Sequence, residues 1–255
     1  MSEEYKLNDI IVERPTKTVY YEDGKTIKLF VENYSKAAIL NEALNQARVE
    51  ESTDLKIPKL QEVTTINGRW ALISDHIYGR PFEAIMNENM DKIDEYIDKF
   101  IDIQLEVLSK NVPMLNRMKD KYRRRINESS EFNENTKYEL LQRLDGTESR
   151  YKLCHGDFVP SNIVLSDTGE YYIIDWAHAT RGNGASDSAN TYLLFLLNGQ
   201  KEIAEKYIDK FSQKSNIDKM KIQRWIPIVA ANQFLKAEGE KKEILRQWID
   251  VFEYE

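Results

Sequence analysis

Leu153-Cys154-His155-Gly156-Asp157-Phe158-Val159-Pro160-Ser161-Asn162-Ile163-Val164-Leu165, followed by Tyr171-Tyr172-Ile173-Ile174-Asp175-Trp176, is the stretch on which the fold turns. The apolar runs 163–165 and 171–174 flank the turn signal Asp167-Thr168-Gly169, so a short loop leads into a β-hairpin. The loop presents Asp157 and, five residues on, Asn162, and the hairpin delivers Asp175 at its end. Two carboxylates and an amide oxygen are thereby directed to one spot.

Upstream, residues 9–31 read as strands. Ile10-Ile11-Val12, Thr18-Val19-Tyr20-Tyr21 and Thr26-Ile27-Lys28-Leu29-Phe30-Val31 are β-rich, and Glu22-Asp23-Gly24-Lys25 is a turn. Residues 36–51 read as a helix capped by Ser35, with Ala38, Ile39, Leu44 and Ala47 as its apolar positions. Trp70-Ala71-Leu72-Ile73 is a further strand. After Gly79-Arg80-Pro81 the pattern turns helical. Residues 91–109 carry Ile93, Ile97, Phe100, Ile101, Gln104, Leu105 and Leu108 at spacings of three and four. Residues 134–144 and 186–250 are helical again. The expected plan is α+β: a small antiparallel sheet lobe over residues 1–77 and a larger, mainly helical lobe over 78–255.

The bulk numbers set outer limits. The 255 residues are 41% hydrophobic and 31% charged, enough for a core. No run reaches the length of a membrane span, and Met1-Ser2-Glu3-Glu4-Tyr5-Lys6 has no apolar signal core. One cysteine, Cys154, excludes an intrachain disulfide framework and fits a reducing cytoplasm. A net charge of −7 argues against a broad nucleic-acid footprint and leaves room for a cationic small molecule. Oligomeric state is not written in the sequence.

Hard oxygen ligands such as Asn162 and Asp175 suit Mg²⁺, which keeps several waters and bridges phosphates. Phosphoryl transfer also needs a group that orients the attacking hydroxyl and a lysine on the phosphate oxygens. Asp157 suits the first task. Lys28 suits the second: it lies mid-strand, with Ile27 and Leu29 on the opposite face by alternation. A buried lysine needs a partner, and Glu42 near the start of the next helix is the nearest carboxylate in register; Glu50 and Glu51 lie further along. Lys25, the rival to Lys28, falls in the turn, and an ordinary edge-strand lysine is the plainer alternative.

His-Gly-Asp-x-x-x-x-Asn followed by Ile-Asp-Trp resembles the signature of the aminoglycoside phosphotransferase and choline kinase superfamily. The resemblance extends over nearly the whole chain: Thr26-Ile27-Lys28-Leu29-Phe30 looks like its lysine strand, and Leu72-Ile73-Ser74-Asp75-His76-Ile77-Tyr78-Gly79-Arg80-Pro81 like its strand and hinge. It implies a two-lobed protein-kinase-like fold and a small-molecule kinase. The donor implied is ATP, with GTP as an alternative. Asp157 is implied as catalytic aspartate, Asn162 and Asp175 as Mg²⁺ ligands, Lys28 and Glu42 as the phosphate-positioning pair, and Asp75, Ile77 and Ile174 as the nucleotide's surroundings. Asp187 matches the later Asp that braces the catalytic loop. The acceptor implied is a hydroxyl of an aminoglycoside-, choline- or sugar-like compound. A silent nucleotide-binding scaffold is the competing reading.

Two features depart from a simple kinase pattern. The loop between the first strands, Glu13-Arg14-Pro15-Thr16-Lys17, has no glycine, and Pro15 cannot lay a backbone donor on a phosphate. No pattern marks the acceptor region; His178, Thr180 and Arg181 either line it or shape a loop. Arg123-Arg124-Arg125 read as a solvated helix face, Cys154 and His155 as structural, and Trp225, Phe234 and Trp248 as core.

Overall fold

A computed structural model describes residues 5–249. The first four residues, which open the stretch lacking a signal core, and residue 250, which ends the expected helical region, lie outside the described residues. In chain order the elements are β1 (Asp9–Arg14), β2 (Lys17–Glu22), β3 (Lys25–Phe30), α1 (Lys36–Ser52), β4 (Leu60–Ile66), β5 (Arg69–Asp75), β6 (Gly79–Pro81) and α2 (Phe82–Glu88). There follow α3 (Ile93–Ser109), α4 (Met118–Glu128), α5 (Glu134–Gly146), β7 (Lys152–Cys154), β8 (Ile163–Ser166), β9 (Tyr171–Ile173) and β10 (Thr180–Gly182). The chain closes on α6 (Gly184–Leu197), α7 (Lys201–Ser215), α8 (Lys219–Gln223), α9 (Ile226–Phe234) and α10 (Glu240–Ile249). Two compact units result. One takes the chain up to Ile85 together with Ser161–His178; the other takes Met86–Pro160 and the chain from Ala179 on.

The first unit is built on an antiparallel sheet of order β1-β2-β3-β5-β4. Asp23 and Gly24 both have positive φ, 47° and 78°, as a two-residue hairpin turn of primed type requires. Alternation along β3 sends Ile27 and Leu29 to one face, against Ile66, Ala71 and Ile73. Phe30 goes to the other, where it meets Ile39 and Ala43 of α1 and Leu72 of β5. Each such apolar side chain contributes roughly 1.5–3 kcal/mol when fully buried. Lys28 shares the face of Phe30, and β3 is the middle strand of five, so Lys28 is no edge lysine.

Helix α1 starts where its cap predicts: the Ser35 hydroxyl accepts from the Ala38 N–H at 3.3 Å. Its buried stripe is Ile39, Glu42, Ala43, Asn45 and Val49. Ala38 and Leu44, expected among its apolar positions, are exposed. The helix is rotated because its inner face must bring Glu42 to Lys28, and a carboxylate there outranks one more leucine contact.

Strands β6, β8 and β9 form a second sheet, with Gly79 opposite Ser166 and Arg80 opposite Leu165. Gly-Arg-Pro has no strand propensity of its own, and the pairing alone makes it a strand. A side chain at Gly79 would drive its Cβ into the Leu165 carbonyl.

In the second unit, Ile97, Phe100, Ile101, Gln104 and Leu108 are all buried on α3, as their spacing predicts, and Leu105 is half-buried. The Phe100 ring packs against Phe158, Phe195 and Tyr207 at centroid separations of 4.8–5.8 Å. On the outer face Asp94, Asp98 and Asp102 pair with Lys206, Lys210 and Lys214 of α7. Such exposed pairs contribute under about 1 kcal/mol each. Helix α6 is buried over most of its length, which makes it the axis of this unit.

Gly79→Ala is expected to cost about 1–3 kcal/mol, the usual toll of overpacking against backbone. A urea unfolding curve with a lower midpoint and unchanged slope checks this.

Candidate active site

In the first unit a cavity of about 450 Å³ is walled by Val12, Val19, Leu72, Ile77, Val164 and Ile174. That volume is ordinary for a small-ligand site. Lys17, Lys28, Asn162 and Asp175 are among its polar lining residues. Lys28 forms an ion pair with Glu42 and reaches Asp175 Oδ1 at 3.3 Å. Lys17 donates to the other oxygen, Asp175 Oδ2, at 3.0 Å. Burial disfavours the Lys28 charge, but the carboxylates of Asp175 and Glu42 outweigh it and hold its pKa above the usual lysine range. The Glu42 side chain is 6% exposed, so without Lys28 it would be a buried, uncompensated charge.

Local structure places each of these groups. Asp175 has φ 63°, a left-handed conformation that Asp adopts more readily than most residues. Trp176 fixes the turn that follows: it is fully buried, and its indole N–H donates to the Ile173 carbonyl at 3.1 Å. Asn45 of α1 donates to the Ala177 carbonyl at 3.2 Å. The Ile174 N–H donates to the Asn162 carbonyl at 2.9 Å, so the two ends of the hairpin are held together. Asp75, Ile77 and Ile174, expected around a nucleotide, all line the cavity. The amides of Asp75 and His76 are used inside the unit, on the Lys59 and Gly24 carbonyls.

Asn162 and Asp175 therefore bring an amide and a carboxylate to the cavity wall. Among the described residues no three His, Cys, Asp or Glu side chains gather as a metal cage. A pair of hard oxygens beside an open volume fits Mg²⁺, which takes most of its ligands from phosphate and water.

Asp157 belongs to the second unit, on a loop that is heavily braced. The buried Asp187 accepts from the Gly156 N–H at 2.8 Å and from Gln104 Nε2 at 3.3 Å. Asn190 donates to the Gly156 carbonyl at 3.1 Å, and Thr191 to the Phe158 carbonyl at 2.8 Å. Three residues of α6 thus clamp the backbone on both sides of Asp157. Burial pushes the Asp187 carboxyl up, while the Gly156 N–H and nearby His155 pull it back. His155 and Cys154 are fully buried, and burial holds the Cys154 thiol well above its ordinary range, as suits structural residues.

Sequence reasoning missed two features. Lys17 was seen only as the end of a loop without glycine, yet its position one residue past the tight turn sends its ammonium to Asp175. The Arg triplet is not one solvated face. Arg123 pairs with Asp145, Arg124 is exposed, and Arg125 is half-buried and donates to Asn232 Oδ1 at 2.6 Å. Thr180 and Arg181 lie in β10, paired with Cys154 and Leu153 of β7.

The sequence model of the phosphotransferase enzyme family (APH) matches residues 91–222, just over half of the chain. The chain belongs to this family. Its fold is that of solved phosphotransferases. A thermostable mutant of aminoglycoside phosphotransferase APH(4)-Ia superposes with a TM-score of 0.69 at 11% identity, covering 94% of this chain and 92% of that one. Aminoglycoside-3'-phosphotransferase of type VIII gives 0.65 at 16%, over 89% and 94%. Choline kinase LicA from Streptococcus pneumoniae gives 0.63 at 16%, over 94% and 92%. No curated protein sequence matches the chain. No helix among the described residues is long and apolar enough to cross a membrane.

Asp187→Ala is expected to cost about 2–3 kcal/mol, since it strips the partner from a buried N–H and amide. Urea unfolding measures the loss. Faster hydrogen exchange at Gly156 is the local sign.

Proposed function

We propose that the protein transfers the γ-phosphate of ATP to a hydroxyl of a small molecule. The observation that carries this reading is the set Lys28, Glu42 and Asp175, joined by ion pairs, with Lys28 and Asp175 lining the cavity. The base slots between Val12, Val19, Leu72, Ile77 and Ile174. The Ile77 N–H is the backbone donor suited to it, because the two preceding amides are spent. Lys28, held by Glu42, and Lys17 neutralise the phosphates. Lys17 supplies by side chain the positive charge that a glycine-rich loop supplies by backbone N–H groups. Asn162 and Asp175 would hold Mg²⁺, which would supply shielding of the phosphate charge.

Asp157 orients the acceptor hydroxyl. The oxygen attacks the γ-phosphorus, its proton passes to Asp157, and the bond to the β–γ bridging oxygen breaks, releasing ADP. GTP is the alternative donor. Aminoglycoside-, choline- and sugar-like alcohols are the acceptor classes that the family resemblance brings forward. The single buried thiol and the absence of a long apolar helix among the described residues are compatible with a cytoplasmic setting.

Transfer of labelled γ-phosphate from Mg-ATP to a panel of amino alcohols, sugars, hydroxy acids and aminoglycosides tests this reading. Asp157→Asn is expected to lower kcat about 10²–10⁴-fold while ATP still binds. ATP binding without transfer to any acceptor would favour the scaffold reading instead. Lys17→Met is expected to weaken ATP about ten- to a hundredfold and to leave adenosine unchanged, the signature of a phosphate contact. Isothermal titration with both ligands, without metal, reads it.

A further inference from the structure

The net charge of −7 invites a cationic acceptor, but the surroundings of Asp157 have the opposite sign. Helices α4 and α9 pack together in the second unit, joined by the Arg125 to Asn232 hydrogen bond of 2.6 Å. Gln233, the next residue on α9, donates to Asn190 at 2.6 Å, and Asn190 holds the Gly156 carbonyl. This chain of bonds ties the end of α9 to the loop that carries Asp157. Lys121 lies four residues before Arg125, so both lie on one side of α4. Lys236 lies two residues past the end of α9, its N–H bonded back to the Gln233 carbonyl at 2.9 Å. Two cationic side chains on α4 and one just past α9 thus belong to segments that hydrogen bonds connect to the loop of Asp157.

The electrostatics agree with this placement. Burial first, then the like charges of Lys236, Arg125 and Arg124, push Lys121 down to about 7, and Asp157 is the charge that opposes them. Lys236 is pushed down to about 8 by burial and by Arg125, again against Asp157. Lys236 is exposed and Lys121 only partly buried, so solvent moderates both shifts, and a small ligand can reach both residues. A second negative charge beside them would relieve the repulsion; a cation would add to it.

We propose that the acceptor is an anionic alcohol, its carboxylate or phosphate gripped by Lys121, Arg125 and Lys236 while its hydroxyl meets Asp157. This rests on the phosphotransferase reading for the role of Asp157, and it narrows the acceptor away from aminoglycosides and choline. One Arg125 N–H holds Asn232, and the guanidinium carries five donors in a fork that suits a carboxylate or phosphate.

The test uses the whole protein saturated with ADP, so that the nucleotide lysines are occupied. It is titrated with sodium sulfate, sodium glycerate, glycerol and choline chloride, followed by calorimetry and thermal unfolding. Sulfate and glycerate are expected to bind, glycerate alone marking a carboxylate site and sulfate alone a phosphate site. Lys121→Met and Lys236→Met should weaken the anion at least tenfold, and Lys121→Arg should retain it. Lys121→Met should also raise the Tm without anion, because it removes a like charge; a lysine with a purely structural role would lower it. Choline binding as tightly as the anions, no anion binding, or anion binding unchanged in both Met variants overturns the proposal. ADP failing to bind would remove the nucleotide reading alone, since the anion titrations still report on the basic cluster.

Discussion

An ammonium on the inner face of the middle strand of a sheet is the constraint that organises the first unit. Lys28 cannot sit there unpaired, because a desolvated charge costs several kcal/mol. The chain answers with two carboxylates from distant parts of the sequence, Glu42 and Asp175. Satisfying both fixes the rotation of α1 against the sheet and fixes where the hairpin β8–β9 must end. The exposed Leu44 and the buried Glu42 on one helix are the visible consequence. A hydrophobic substitute for Lys28 would be easier to bury, so the triad is better explained by use than by stability.

Charge is handled differently in the two units. In the first, cations and anions are matched: Lys17 and Lys28 meet Asp175 and Glu42 in direct pairs. Around Asp157 in the second, Lys121, Arg125 and Lys236 repel one another, and Asp157 opposes them. Matched charges can be displaced one for one by an incoming polyanion and its metal. Like charges brought close together instead favour a ligand of the opposite sign. Net charge says nothing about this, since the −7 is a sum over the whole chain and not a property of any one site.

What could be read in advance follows the same physics. The strands β1–β3, the cap of α1, the apolar stripe of α3 and the loop–hairpin pair are local patterns, and they stand where periodicity and turn chemistry put them. So does the Lys28–Glu42 pair, because a mid-strand lysine demands a carboxylate and the next helix offers one. Strands β4 and β6 were illegible: β4 alternates poorly, and Gly79-Arg80-Pro81 becomes a strand only by pairing with β8. Lys17 and Arg125 were illegible for a related reason. A long flexible side chain carries no record in the sequence of which way it turns, and only the surrounding fold decides whether it ends in water or on a carboxylate.

Under the proposed function, the glycine-free turn meets one need by unlike means. Backbone N–H groups bind phosphate through fixed dipoles that need close approach, hence glycine and no proline. Pro15 removes that option in the first hairpin, and the lysine two residues later restores positive charge from a greater reach. The exchange has physical consequences. A lysine is a flexible point charge with three donors, so it recognises charge more than shape. Its contribution, unlike that of a rigid amide nest, falls as salt screens it. It also rests on Asp175 here, which neutralises the carboxylate and, under the proposed function, would do so until a nucleotide arrives. On this account the hairpin is a tethered counter-ion, and the turn is free to carry a proline because it carries no donor.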